Sequence, residues 1–317
     1  MAHEHEHEHE HDPGAGGHGG HGHSHAPADF GRAFAIGTAL NMAFVVVEAG
    51  YGLAAGSMAL LADAGHNLSD VLGLLIAWGA AVLAKRKPSG RYTYGLRSSS
   101  ILAALLNAVL LLVAIGIIAI EAIRRFAEPA PVAGTTIMIV AGIGIVVNTV
   151  TALLFMRGRK GDLNIRGAFL HMAADAAVSA GVVLAGLAIV LTGRSWIDPV
   201  TSLVIVAVVA IGTWGLLRDS VNMSLQAAPA GVDPERISAF LRKQRGVKEV
   251  HDLHIWPMST TETALTVHLL VPEGYPGDAF SVTIAATLKE RFGIGHSTIQ
   301  IETDPGIDCA LASDQTV

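Results

Sequence analysis

Two pairs of ionisable side chains stand where such groups are most costly. His66 and Asp70 are four residues apart in Leu60-Leu61-Ala62-Asp63-Ala64-Gly65-His66-Asn67-Leu68-Ser69-Asp70, with apolar residues on both sides. The run Leu170-His171-Met172-Ala173-Ala174-Asp175-Ala176 repeats the spacing with His171 and Asp175. On a helix, residues four apart share a face, one turn from each other. An Asp deep in a bilayer costs about 2.5–3.5 kcal/mol on insertion scales, so it normally faces a polar interior and has a function. Two imidazoles and two carboxylates from two helices make a closed four-ligand set, which is the coordination number and ligand chemistry of zinc. A single intramembrane His is often part of a structural polar network; two copies of one pair favour a metal site. Zinc requires neutral imidazoles and ionised carboxylates, so metal and protons compete there. With an ordinary pKa of about 6.5, His66 and His171 are natural proton carriers for such an exchange.

Other polar residues lie in the same apolar blocks. Asp63, one turn before His66, is expected either to gate or widen the access path or to cap its helix near the interface. Asn41, Glu48, Asn107 and Asn148 read as interhelical hydrogen-bonding groups, with Asn41 and Glu48 seven apart on one face. Glu121, Arg124 and Arg125 are expected at the outer interface, where long side chains snorkel to water.

The elements that must hold these residues follow from composition. Of the 317 residues, 51% are hydrophobic and only 15% charged, against roughly 25% charged in soluble domains. The apolar residues form six blocks, at 33–54, 58–84, 98–124, 133–156, 165–193 and 197–221, each suited to a hydrocarbon core that needs about 20 residues. Lys85, Arg86, Lys87, Arg91 and Arg97 lie between the second and third blocks, and Arg157, Arg159, Lys160 and Arg166 between the fourth and fifth. The alternate loops carry fewer basic residues, which places both termini in the cytoplasm. The Ala-, Gly- and Val-rich composition and short loops suit a bacterial inner (cytoplasmic) membrane.

Residues 1–29 alternate His with Glu and then Gly; they cannot form a core and read as a disordered cytoplasmic tail, either metal-collecting or simply a solvated stretch or purification tag. Within it His3-Glu4-His5-Glu6-His7 matches H-E-x-x-H, but without the apolar-flanked helix a metalloprotease needs, so the match is chance. No secretory signal is expected, since Met1 is not followed by a basic region and an apolar core. The single cysteine, Cys309, excludes a disulfide framework and a multi-cysteine zinc site. No aromatic-interleaved basic patch points to nucleic acid.

Past residue 226 the composition changes. Asp233-Pro234 reads as a helix start, 247–256 and 263–271 as strands, 276–292 as a helix and 296–302 as a strand. This α-β-β-α-β order predicts a small α+β domain with helices on one sheet face. The boundaries are a membrane domain over 30–226, a C-terminal domain over 227–306 and a disordered tail over 307–317. Strand alternation puts His268 opposite Val267 and Leu269, on the exposed side. His251, His268 and Asp304 are candidates to converge on a metal there.

Taken together, the chain resembles the cation diffusion facilitators, which export zinc and related metals. The resemblance rests on Leu61 through Asp70, the His171–Asp175 pair, Val250-His251-Asp252-Leu253-His254-Ile255-Trp256, Asn164 through Gly167, and Trp196-Ile197-Asp198-Pro199. It implies a six-transmembrane-helix bundle with a ferredoxin-like, metallochaperone-like cytoplasmic domain, a homodimer in membrane lipid, and alternating access coupled to inward proton movement. The intramembrane set His66, Asp70, His171 and Asp175 is similar to that of zinc-preferring members. His251, His268 and Asp304 match one cytoplasmic metal pattern, with Glu302 where a His is common, which favours one metal over two. Relatives often carry Phe-Gly-x-x-Arg-x-Glu entering the third span; here Tyr94-Gly95-Leu96-Arg97-Ser98-Ser99-Ser100 lacks the acid and displaces the base, which argues against a charge lock to the cytoplasmic domain. The expected activity is zinc export for protons, without enzymatic chemistry. The alternatives are a membrane-anchored metal sensor or buffer, and efflux of cobalt, nickel, cadmium or iron.

Overall fold

The computed structural model describes residues 32–84, 86–128, 130–156, 163–307 and 309–311. The tail expected over 1–29 lies outside these, as does most of that expected over 307–317. Six long helices come first: α1 (Arg32–Ala55), α2 (Met58–Ala84), α3 (Ser99–Ala127), α4 (Gly134–Met156), α5 (Leu163–Thr192) and α6 (Ile197–Ser224). Among the described residues, five are long and apolar enough to cross a membrane. The exception is α2, whose first half carries Asp63, His66, Asn67, Ser69 and Asp70. Helix α3 shows what surrounds the bundle. It buries Ala108, Leu111, Ile115 and Ala122 but leaves Leu102, Leu106, Val113, Ile117 and Ile120 exposed. A helix apolar on all sides suits lipid.

Small residues bring the helices close. A Cβ on Gly134 of α4 would stand 2.9 Å from the Gly186 carbonyl oxygen of α5. The start of α2 is held just as firmly. Gly56 turns the chain at a φ of 62°, a conformation that favours glycine, and Arg125 donates to its carbonyl. Arg125 therefore does not snorkel to water; it pins the α1–α2 turn and pairs with Glu121 at 3.5 Å. From α6, the buried Asp198 accepts from Ser57 Oγ (2.5 Å), Met58 N (2.8 Å) and Ala59 N (3.3 Å). A carboxylate over the free N–H groups of a helix start is favourable both by hydrogen bonding and by the helix dipole.

The C-terminal unit runs α7 (Pro234–Arg242), β1 (Glu249–Pro257), β2 (Thr263–Leu270), α8 (Asp278–Phe292) and β3 (Ile294–Glu302), the element order expected. Asp233 caps α7 by accepting from Glu235 N and Arg236 N. The sheet order is β1-β2-β3, with β1 and β2 antiparallel and β2 and β3 parallel. Ile237 and Leu241 of α7 and Ile284 and Leu288 of α8 share a core with Leu265, Val267 and Leu269 of β2. Period-two alternation then puts His268 and Glu302 on the sheet face away from that core. His251 pairs with His268 across β1 and β2, just before a register break between His251 and His254.

The two units touch. Arg97 Nη1, ahead of α3, lies 2.7 Å from Glu262 Oε2 in the β1–β2 hairpin. Ser98 Oγ donates to the Met258 carbonyl at 3.2 Å, and Thr260 N to Ser100 Oγ at 3.1 Å. A charge pair between the loop and the C-terminal unit therefore forms, contrary to expectation: Arg97 finds its acid, Glu262, in the other unit, beyond the reach of a local motif.

Candidate metal centres

The first centre is built by α2 and α5. His66 Nε2 lies 3.2 Å from Asp175 Oδ1, and His66 Nδ1 lies 3.8 Å from Asp70 Oδ2. One ligand atom from each of His66, Asp70 and Asp175 falls within 4.8 Å of the others. Donors bound about 2.0–2.2 Å from a tetrahedral zinc stand about 3.3–3.6 Å apart, so small side-chain movements close this set on an ion. Asp175 is 1% exposed. His171 sits one turn before Asp175 on α5; its side chain lies outside the described residues.

Polar groups buried around this centre bind helix to helix. Ser179 Oγ of α5 donates to Asp63 Oδ2 at 3.1 Å, and Asn67 Nδ2 of α2 to Glu48 Oε2 of α1 at 3.2 Å. Asp63 and Glu48 are both fully buried, and Asp63 lies inside α2, paired with α5, so it does not cap the helix. Asn41 reaches Thr151 of α4 at 3.4 Å, as interhelical bonding requires. A cavity of about 250 Å³ touches His66 and runs along Val178, Gly181, Val204 and Ile205 of α5 and α6. Its apolar walls make it a poor path for a hydrated ion.

The second centre lies on the helix-free face of the C-terminal sheet. His251 Nε2 is 3.2 Å from Glu302 Oε2, and His268 Nδ1 is 3.1 Å from Glu302 Oε1. Cys309 Sγ is 3.6 Å from His268 Nδ1. These four side chains each bring one donor atom within 4.8 Å of the rest. His268, expected to be exposed, is 9% exposed because His251, Asp252, Glu302 and Cys309 surround it. Asp304 lies outside the cluster, its Oδ1 accepting from Gly306 N at 2.8 Å. Burial works to raise the Glu302 pKa, but the Cys309 thiol and the charges of His251 and His268 outweigh it and hold the carboxyl below its ordinary value. For Cys309 a backbone bond with Leu311 lowers the thiol pKa, while burial and the Glu302 carboxylate push it up on balance.

Sequence reasoning missed Asp252 and Cys309 here. Asp252 has a φ of 49°, a left-handed conformation that Asp tolerates better than most residues. It sits in the register break of β1, and its Oδ2 lies 3.4 Å from His268 Nε2 while Oδ1 lies 2.9 Å from His254 Nε2.

Comparison with known proteins gives a consistent result. Residues 34–223 match the family model described as the cation efflux transmembrane domain, and residues 229–304 that of the cation efflux protein cytoplasmic domain. The zinc transporter ZitB of Escherichia coli is 38% identical over 272 residues, covering 84% of this chain and 87% of the relative. A cadmium, cobalt and zinc/H(+)-K(+) antiporter of Bacillus subtilis is 35% identical over 271 residues, covering 82% and 85%. The metal cation efflux system protein CzcD of Cupriavidus metallidurans is 34% identical over 280 residues, covering 88% and 89%.

Proposed function

The chain belongs to the cation efflux family of membrane transporters, and from that premise we propose that it exports zinc from the cytoplasm in exchange for protons. All six long helices cross an inner membrane, α2 included, because its polar residues face the bundle and not lipid. His66, Asp70, His171 and Asp175 hold the ion in turn open to each side. The observation that carries this reading is the convergence of His66 and Asp70 from α2 with Asp175 from α5. His66 stands between the two carboxylates, so a proton on its ring and a zinc ion between the acids satisfy the same charges and exclude each other. That exclusion is the coupling.

Both termini lie in the cytoplasm. The parallel β2–α8–β3 crossover beside the β1–β2 hairpin supports a metallochaperone-like, ferredoxin-like domain. The match of residues 229–304 to the cation efflux cytoplasmic domain supports a homodimer. A second zinc binds His251, His268 and Glu302, a reading supported by the convergence of their donor atoms. The relatives named for cadmium and cobalt as well as zinc support acceptance of those ions as secondary cargo.

Efflux from zinc-loaded cells tests the assignment. Asp70→Ala should abolish efflux while the protein still reaches the membrane folded. Wild-type efflux from that variant would overturn it.

A further inference from the structure

The second centre has a donor that the sequence pattern does not supply. His251 is 6% exposed, and neither ring nitrogen has a hydrogen-bond partner among the described residues; its 3.2 Å approach to Glu302 is a charge contact only. A buried imidazole without hydrogen bonds is unusual enough to need an explanation, and a metal ion supplies one. Donors bound about 2.0–2.3 Å from a tetrahedral ion stand about 3.3–3.8 Å from one another. His251 Nε2 and His268 Nδ1 reach different oxygens of Glu302, at 3.2 and 3.1 Å, and Cys309 Sγ lies 3.6 Å from His268 Nδ1; with one donor atom from each residue within 4.8 Å of the others, modest side-chain movement brings the set to those edges. Meanwhile Asp304, the residue expected to complete the set, is turned to Gly306.

The geometry points to Cys309 as the thiolate ligand of this cytoplasmic site, giving two nitrogens, one oxygen and one sulfur for a borderline-soft divalent cation. The inference rests on the reading of this cluster as a metal site. The thiol proton leaves to solvent as the sulfur–metal bond forms. Such a set favours zinc over hard ions such as magnesium or manganese. Asp252 is the positioning residue: its carboxylate takes His268 Nε2 at 3.4 Å, which leaves Nδ1 facing Glu302 and Cys309. A carboxylate on the far nitrogen of a ligating His fixes the ring's tautomer and orientation. The left-handed Asp252 backbone in the β1 irregularity aims it there.

Cobalt(II) titration of the full-length protein in detergent tests this, because one cysteine in the chain makes any thiolate-to-cobalt charge-transfer band a report on Cys309. We expect the band in the wild type and, unchanged, in Asp70→Ala. It should vanish in Cys309→Ser and in His251→Ala. Asp252→Asn should keep the band but weaken cobalt affinity at this site about 10–100-fold. If His251→Ala lowers cobalt binding but the wild type shows no thiolate band, the cluster remains a metal site and Cys309 is not its ligand. If His251→Ala and His268→Ala leave cobalt binding unchanged, the cluster is not a metal site and both readings fall. A band that survives in the His variants also overturns the proposal, since the thiol then binds metal elsewhere.

Discussion

Which side chains can give up a proton to solvent and bind a metal in its place decides the chemistry of both centres. Asp175 is buried and within 3.2 Å of His66. Asp175→Asn keeps its shape and removes its charge. Loss of an outer partner of a metal ligand typically costs about 10–100-fold in affinity, so loss of the ligand itself should cost at least as much. We therefore expect Asp175→Asn to lose zinc transport with little change in thermal stability, read by efflux and by melting in detergent. His66, Asp70 and Asp175, which the structure brings within reach of one another, could be picked out from sequence because each His–Asp pair sits at helical spacing inside an apolar run; the His171 side chain lies outside the described residues. The cytoplasmic set was legible only in part. His251, His268 and Glu302 come together because strand alternation puts them on one face, which the pattern shows. Cys309 lies beyond the last strand, and no periodicity announces where a post-strand segment folds back. Asp252 was hidden by its backbone, since a left-handed residue breaks the alternation on which strand reading depends.

For the helices, the apolar blocks foretold the approximate ends of the six, of which five are apolar enough to cross a membrane, whereas what fixes them against one another was invisible. Asp198 was noted only as part of a resemblance, yet it ties α6 to the start of α2, the helix that carries His66 and Asp70. Asp198→Ala strands three donors in a buried place. Such a loss costs about 1–3 kcal/mol, so the variant should melt earlier. Asp198→Asn, which keeps one acceptor oxygen, should fall between it and the wild type. An Asp198→Ala protein with unchanged melting would show that water reaches these donors. The failure of local reading has a simple cause: Asp198 and Ser57 are 141 residues apart, and nothing in either stretch encodes the other. Arg125 is the same case. Its apolar neighbourhood predicted snorkelling, but a free carbonyl at the Gly56 turn offered a nearer partner.

Across the whole molecule, the membrane unit and the cytoplasmic unit meet at the loop ahead of α3 and the β1–β2 hairpin. The Arg97–Glu262 pair is half-exposed, so it contributes no more than about 1 kcal/mol and works as a latch and not a weld. Glu262→Arg should speed hydrogen exchange at the hairpin amides, Thr260 N among them, without unfolding either unit. Reversing both charges, with Arg97→Glu added, should restore most of the protection. If the single and double variants exchange alike, the pair does not hold the units together. The exchange proposed for the membrane unit carries a zinc ion out across the bilayer as protons enter. The most direct test is zinc uptake into sealed vesicles carrying the purified protein, with an acidic interior and an internal zinc-sensitive dye. Zinc should accumulate only while the pH gradient lasts, and not at all with Asp70→Ala. Tight zinc binding with no gradient-driven accumulation would contradict the account, leaving a protein that holds the metal without moving it.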